Sequence, residues 1–135
     1  MIGKGIGAEV AMSGELPPGW PAGVAPPGAP DWERSAVAWL LDLCPPDYRG
    51  YQVLRRHPIV LARIAAQHIA AGQQATVEGL RSARDELRGL VPPEVIDEVI
   101  ATYDSEAARL QVASRAVALV DDALRGGRWT PKMRG

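Results

Sequence analysis

The sequence predicts an all-α protein built on a long, coiled-coil-like antiparallel helical hairpin, with its turn at residues 89–93 and a third, short helix packed at its open end. Three observations predict this. Before Val91, Pro92 and Pro93, positions spaced alternately four and three apart read Ala62, Ala66, Ile69, Gln73, Thr76, Leu80, Ala83, Leu87 and Leu90. After them the same spacing reads Ile96, Val99, Tyr103, Glu106, Leu110, Ala113, Val117, Val120 and Leu124. Seven of nine and eight of nine are apolar, a regularity that a polar-surfaced helix does not sustain over so many turns. The third observation is a second apolar stripe, confined to the half of each arm away from the turn: Leu61, Ile64, Ala65, His68 and Ala71 on one, Val112, Ala116, Leu119 and Ala123 on the other. That stripe needs a partner which the hairpin alone does not supply.

The elements follow in order. Residues 1–30 hold six prolines, seven glycines and three charges, which predicts a disordered tail. Met12, before Ser13 and Gly14, offers a second start for translation. Asp31 is placed as an N-cap, Glu33 falls in the first turn, and Trp32, Val37, Leu40, Leu41 and Cys44 recur at helical spacing, so a helix is expected over 32–43, stopped by Pro45 and Pro46. A short helical turn is expected over 52–56. Pro58 suits the first position of a helix, where its missing N–H costs nothing, and Gly89 suits its end, giving a second long element over 58–88. The third, 93–125, carries Glu94, Asp97 and Glu98 at its positive end. Residues 31–127 thus form one helical domain, followed by a flexible basic tail over 128–135.

Each arm has a length of ~45–50 Å at the usual helical rise. Antiparallel pairing about the turn sets Leu87 against Val99, Ala83 against Tyr103, Ile69 against Val117, Ala66 against Val120 and Ala62 against Leu124, small residues meeting large ones. Gln73, Thr76 and Glu106 interrupt the seam, and a shared hydrogen-bonded layer is expected of them. A homodimer, by swapped hairpins or four-helix pairing, is compatible with the same periodicity.

Composition narrows the function classes. A net charge of −1 implies no global attraction to nucleic acid or membrane. One cysteine, Cys44, excludes an internal disulfide framework and fits a reducing compartment. Residues 1–14 lack an apolar run of signal-peptide length and nothing reaches the ~20 apolar residues of a spanning helix, so the expected location is cytoplasmic, with no membrane partner. Arginine greatly outnumbers lysine and Phe is absent, which reads as GC-rich codon usage rather than chemistry.

Folding the hairpin sorts its charge. From Glu78 to Glu106 there are eight acidic and three basic residues. At the open end Arg49, Arg55, Arg56 and Arg63 stand against Asp47, and Arg125, Arg128, Lys132 and Arg134 follow without an acid. An acidic tip and a basic base are expected. The base also gathers Tyr48, Tyr51 and Trp129, side chains suited to stacking or to anchoring an interface. Arginines closing the third helix answer its dipole, but Arg55, Arg56 and Arg63 sit at the positive end of the second and need another reason. The candidate interaction surface is therefore Tyr48, Arg49, Tyr51, Arg55, Arg56, Arg63, Arg125, Arg128 and Trp129.

Reactive constellations are weaker. Gly3-Lys4-Gly5-Ile6-Gly7 follows no strand, and its lysine lacks the Ser or Thr of a phosphate loop. Cys44, Asp47, His57 and His68 match no zinc spacing, and His68 reads as a half-buried packing residue. Neither histidine neighbours a serine on a sharp turn, and the adjacent carboxylates Asp85 and Glu86, or Asp121 and Asp122, diverge by ~100° on a helix. No catalytic, cofactor-binding or metal residue is assigned and no cofactor is expected. The expected function is a non-catalytic adaptor or accessory factor that presents a helical hairpin to a protein partner. The alternative is a nucleic-acid-associated protein using the basic end; a ligand carrier or small enzyme with a pocket near Trp39, Cys44 and His68 ranks last.

Overall fold

The computed structural model describes residues 16–127. Among them the chain forms four α-helices and no strand: α1 (Trp32–Asp42), α2 (Gln52–Arg56), α3 (Pro58–Leu87) and α4 (Pro93–Leu124), with a 3-10 turn at Pro46–Gly50 between α1 and α2. Each expected helix is present, and the long ends agree within a residue.

Local chemistry explains the boundaries. Pro58 opens α3 and Pro93 opens α4, each at a position whose N–H has no helical acceptor. Gly89 adopts φ +80°, a left-handed conformation that a side chain resists, and an isolated bridge between Arg88 and Val91 closes the reversal before Pro92. Asp31 does occupy the N-cap of α1, but its side chain makes no capping hydrogen bond. Ser35 instead ties that end to the preceding segment: its hydroxyl accepts from the Ala25 N–H at 2.9 Å and donates to the Trp32 carbonyl at 2.7 Å.

The long helices α3 and α4 pack side by side in opposite directions. Leu110 lies over Gly72, Tyr103 lies over Gly79, and Arg84 pairs with Asp97 at 3.4 Å, so numbers rise on one helix as they fall on the other. The Tyr103 ring covers Gly79, one turn from the Ala83 that the heptads set against it. A glycine makes the room that the ring needs, and glycines were no part of the expected seam. The buried arc of α3 is also rotated: Ala66 is exposed, while Leu61 and Ala65 are fully buried. The reason is that the core is three-sided near the base. Leu40 and Leu41 of α1 join Leu61, Ala65 and Ile69 of α3 and Val117 and Val120 of α4 in one cluster, which draws the second stripe inward. Toward the turn only Thr76, Ala83 and Ile96 remain buried, and Leu90, an expected seam residue, is 73% exposed. Val112 of the second stripe is likewise exposed, at 67%.

The expected tail divides. Residues 1–15 lie outside the described residues, but residues 16–31 pack against the bundle, contrary to a disordered tail running to residue 30. Four turns follow one another, with Trp20, Val24, Ala29 and Trp32 donating their N–H to the carbonyls of Pro17, Pro21, Pro26 and Ala29. Val24 is buried in the main core, and Trp20 donates its indole N–H to the Val24 carbonyl at 2.9 Å and lies 6.3 Å from the Trp32 ring. Prolines lower the conformational entropy that ordering removes, and Trp20 and Val24 supply apolar area to offset the remainder. Gly19, at φ +95°, passes beside Arg115 and Leu119 of α4, so the strap links α1 to α4.

The expected polar layer does not form. Thr76 donates its hydroxyl to the Gln73 carbonyl at 2.8 Å, and Glu106 turns to Arg109 on its own helix. Thr76 and Glu106 each find a partner on their own helix instead of one across the seam. Gln73 thus contributes its backbone rather than its half-buried amide, and Gln73→Leu is expected to stabilise the protein by about 0.5–1 kcal/mol in thermal unfolding. A fall in melting temperature would mean that the amide holds the seam in register.

Candidate interaction surface

The base face is assembled around the 3-10 turn and α2. Leu54, 3% exposed, anchors α2 to the core and thereby turns Val53, Arg55 and Arg56 outward. Tyr48 anchors the 3-10 turn: its hydroxyl lies 3.1 Å from His68 Nε2 on α3, and its ring meets those of His68 and Tyr51 edge-on, at 5.2 and 5.6 Å. Of the two candidate tyrosines, Tyr48 is a half-buried pin, whereas Tyr51 is 54% exposed. His68 is the half-buried packing residue that its place on the apolar stripe predicts.

The arginines separate by their partners. Arg49 pairs with Asp42 at the end of α1, and Arg125 pairs with Asp121 one turn before it at 3.1 Å. Arg55 donates its Nε–H to the Arg49 carbonyl at 3.0 Å, which holds the 3-10 turn against α2 and leaves its terminal nitrogens outward. Arg55, Arg56 and Arg63 are exposed and meet no carboxylate among the described residues. Arg128 and Trp129 lie outside the described residues.

Among the described residues the base is less basic than the hairpin alone predicts, and Arg128, Lys132 and Arg134 of that count lie outside them. Asp31, with Glu33 and Asp42 of α1, comes to this end and α4 brings Asp121 and Asp122, none of which entered the count from the hairpin alone. Outside the tip the described residues carry eight arginines against six carboxylates, a modest excess. The tip keeps its eight acids against three bases, with Arg81, Arg84 and Arg88 already paired to Glu78, Asp97 and Asp85.

Apolar exposure distinguishes the base instead. Tyr51 and Val53 are each 54% exposed, Ile59 and Val60 each 40%, and all four fall within ten residues that also contain Arg55 and Arg56. Val53, Ile59 and Val60 were not singled out in the sequence. The signal was present, since Ile59 and Val60 belong to neither apolar stripe of α3.

Two grooves border this region. One, of about 370 Å³, runs between α1 and the junction of α2 with α3, lined by Val37, Ala38 and Pro58 with Arg34, Arg55, Arg56 and Glu33. The other, of about 560 Å³, lies between the end of α1 and the long helices, where Gly72 leaves space beside Leu110; Cys44, His68, Glu106 and Arg109 also line it. Trp39, expected near Cys44 and His68, instead lies against Gly23 of the strap. Burial raises the Cys44 thiol above its ordinary range, so it stays protonated and weakly nucleophilic. The hydrogen bond from Arg109 holds Glu106 below the usual carboxylate range. Among the described residues no three His, Cys, Asp or Glu side chains are placed to hold a metal ion, and no helix is long and apolar enough to cross a membrane.

These features define an all-α protein with a candidate docking face at one end. No protein-family model matches the chain, and neither a curated protein nor a solved structure does.

Proposed function

We propose that this chain is a non-catalytic adaptor or accessory factor, in which the coiled-coil-like hairpin of α3 and α4 serves as a rigid arm and the face around α2 docks a protein partner. One observation carries the proposal: Tyr51, Val53, Ile59 and Val60 stand exposed beside Arg55, Arg56 and Arg63. An exposed aromatic and three branched aliphatics, bordered by guanidiniums, have the composition of an interface core with its charged rim. The surrounding elements support the reading, because Leu54 and Tyr48 fix α2 and the 3-10 turn from beneath, so the face is held in one shape before binding.

The test is affinity capture from native lysate, with and without nuclease, using the natural chain and R55E/R56E. A stoichiometric protein partner that survives nuclease and is lost with R55E/R56E is expected, with a drop in capture of about tenfold or more. Unchanged capture by the variant would contradict docking at this face. Recovery that disappears with nuclease would replace the protein partner by nucleic acid.

A further inference from the structure

We infer that the groove between α1 and the junction of α2 with α3 receives the acidic tip of a second copy of this chain, joining molecules head to tail. The inference rests on the docking reading above and names the occupant. It starts from the pairing of charges. Among the described residues six of eleven arginines hold a carboxylate, although carboxylates are the more numerous. Three of the remaining five, Arg34, Arg55 and Arg56, line this one groove, where Glu33 is the only acid among the described residues. The groove therefore carries a net positive charge above an apolar floor of Val37, Ala38 and Pro58, with Val53 exposed on the same short helix as Arg55 and Arg56.

The tip has the complementary composition. Leu90 projects at 73% exposure, the highest of any large apolar side chain described. Glu86, Glu94 and Glu98 lie within two turns of it and meet no base among the described residues, whereas Asp85 and Asp97 are taken by Arg88 and Arg84. Three carboxylates without a basic partner about an apolar plug thus match three guanidiniums without an acidic one about an apolar groove. A molecule's own tip does not reach its own groove, since the 30 residues of α3 separate them by ~45 Å. The contact is heterologous, so it adds copies rather than closing on itself at two.

Sedimentation velocity of the full chain over a concentration series, at low and raised salt, tests this with R55E/R56E, E86K/E98K and their equimolar mixture. All four substituted residues are exposed, and unchanged far-UV circular dichroism verifies the fold. The natural chain is expected to grow in mass with concentration and to dissociate with salt. Each variant alone is expected to associate about tenfold more weakly or not at all, because like charges then face one another. The mixture is expected to recover the complex, since each variant offers the other a complementary end. A natural chain that stays monomeric, association that R55E/R56E leaves unchanged, or a mixture that stays apart would each overturn the proposal. The lysate capture separates this failure from that of the docking reading: a monomeric chain that still loses a captured protein with R55E/R56E leaves the face intact and replaces only its occupant.

Discussion

Truncating Leu61 to alanine is expected to lower the stability of the fold by about 2–5 kcal/mol, the range for removing a buried leucine whose surroundings relax incompletely. Leu61 is fully buried, and with Leu40, Val117 and Val120 it is among the largest side chains so enclosed. It sits where α1, α3 and α4 converge, so the space left by its isobutyl group is bounded on three sides by helices that have other contacts to keep. Small domains have a total stability of about 5–15 kcal/mol, which makes this loss a large share of the whole. Chemical denaturation measures it, with Val112→Ala as the companion, since Val112 is 67% exposed and should change stability by no more than about 0.5 kcal/mol. A loss below about 1 kcal/mol for Leu61→Ala would mean that α1 does not complete the core.

The second large effect has the sign opposite to the usual rule. In an open helix, alanine for glycine is stabilising by about 1 kcal/mol. At Gly79 the new Cβ would fall 2.2 Å from Tyr103 Cζ, so the ring must leave the surface of α3. The lost cover exceeds the helical gain, and Gly79→Ala is expected to destabilise by about 1–2 kcal/mol. Gly72 is the control on the same helix: its Cβ would stand 3.3 Å from Leu110 Cδ1, the far end of a side chain that turns by a rotamer, and Gly72→Ala should be neutral or stabilising. Adding Tyr103→Leu to Gly79→Ala should recover part of the loss, a coupling that a double-mutant cycle isolates. Equal effects at the two glycines would contradict the placement of Tyr103.

These two sites also show what was legible in the sequence. The helices were, because heptad spacing, Pro58, Pro93 and Gly89 act over a few residues and need no tertiary information. The seam was read in outline only. Ala66 and Leu90 satisfy the heptads yet are exposed, whereas Leu61 and Ala65 are fully enclosed, because the arrival of α1 decides which arc of α3 faces inward. Gly72 and Gly79 escape any hydrophobic pattern, although they are where Leu110 and Tyr103 fit.

The strap was misread for a related reason. Its prolines and glycines describe a chain without regular structure, which holds, but they say nothing of whether Trp20 and Val24 find a surface. Within the candidate face, Arg55, Arg56, Arg63 and Tyr51 are exposed, whereas Arg49, Arg125 and Tyr48 are engaged within the molecule. Pairing such as Arg49 with Asp42 depends on how the 3-10 turn folds back on α1, and spacing alone does not specify it.

Docking at the face around α2 is the central claim, and hydrogen exchange of the captured complex tests it most directly. Amides over 51–63, from Tyr51 through α2 and the first turns of α3, are expected to slow when the partner is bound, while those on the exposed side of α4 keep their free-state rates. Unchanged exchange over 51–63, with protection confined to the turn or to the exposed side of α4, would contradict it.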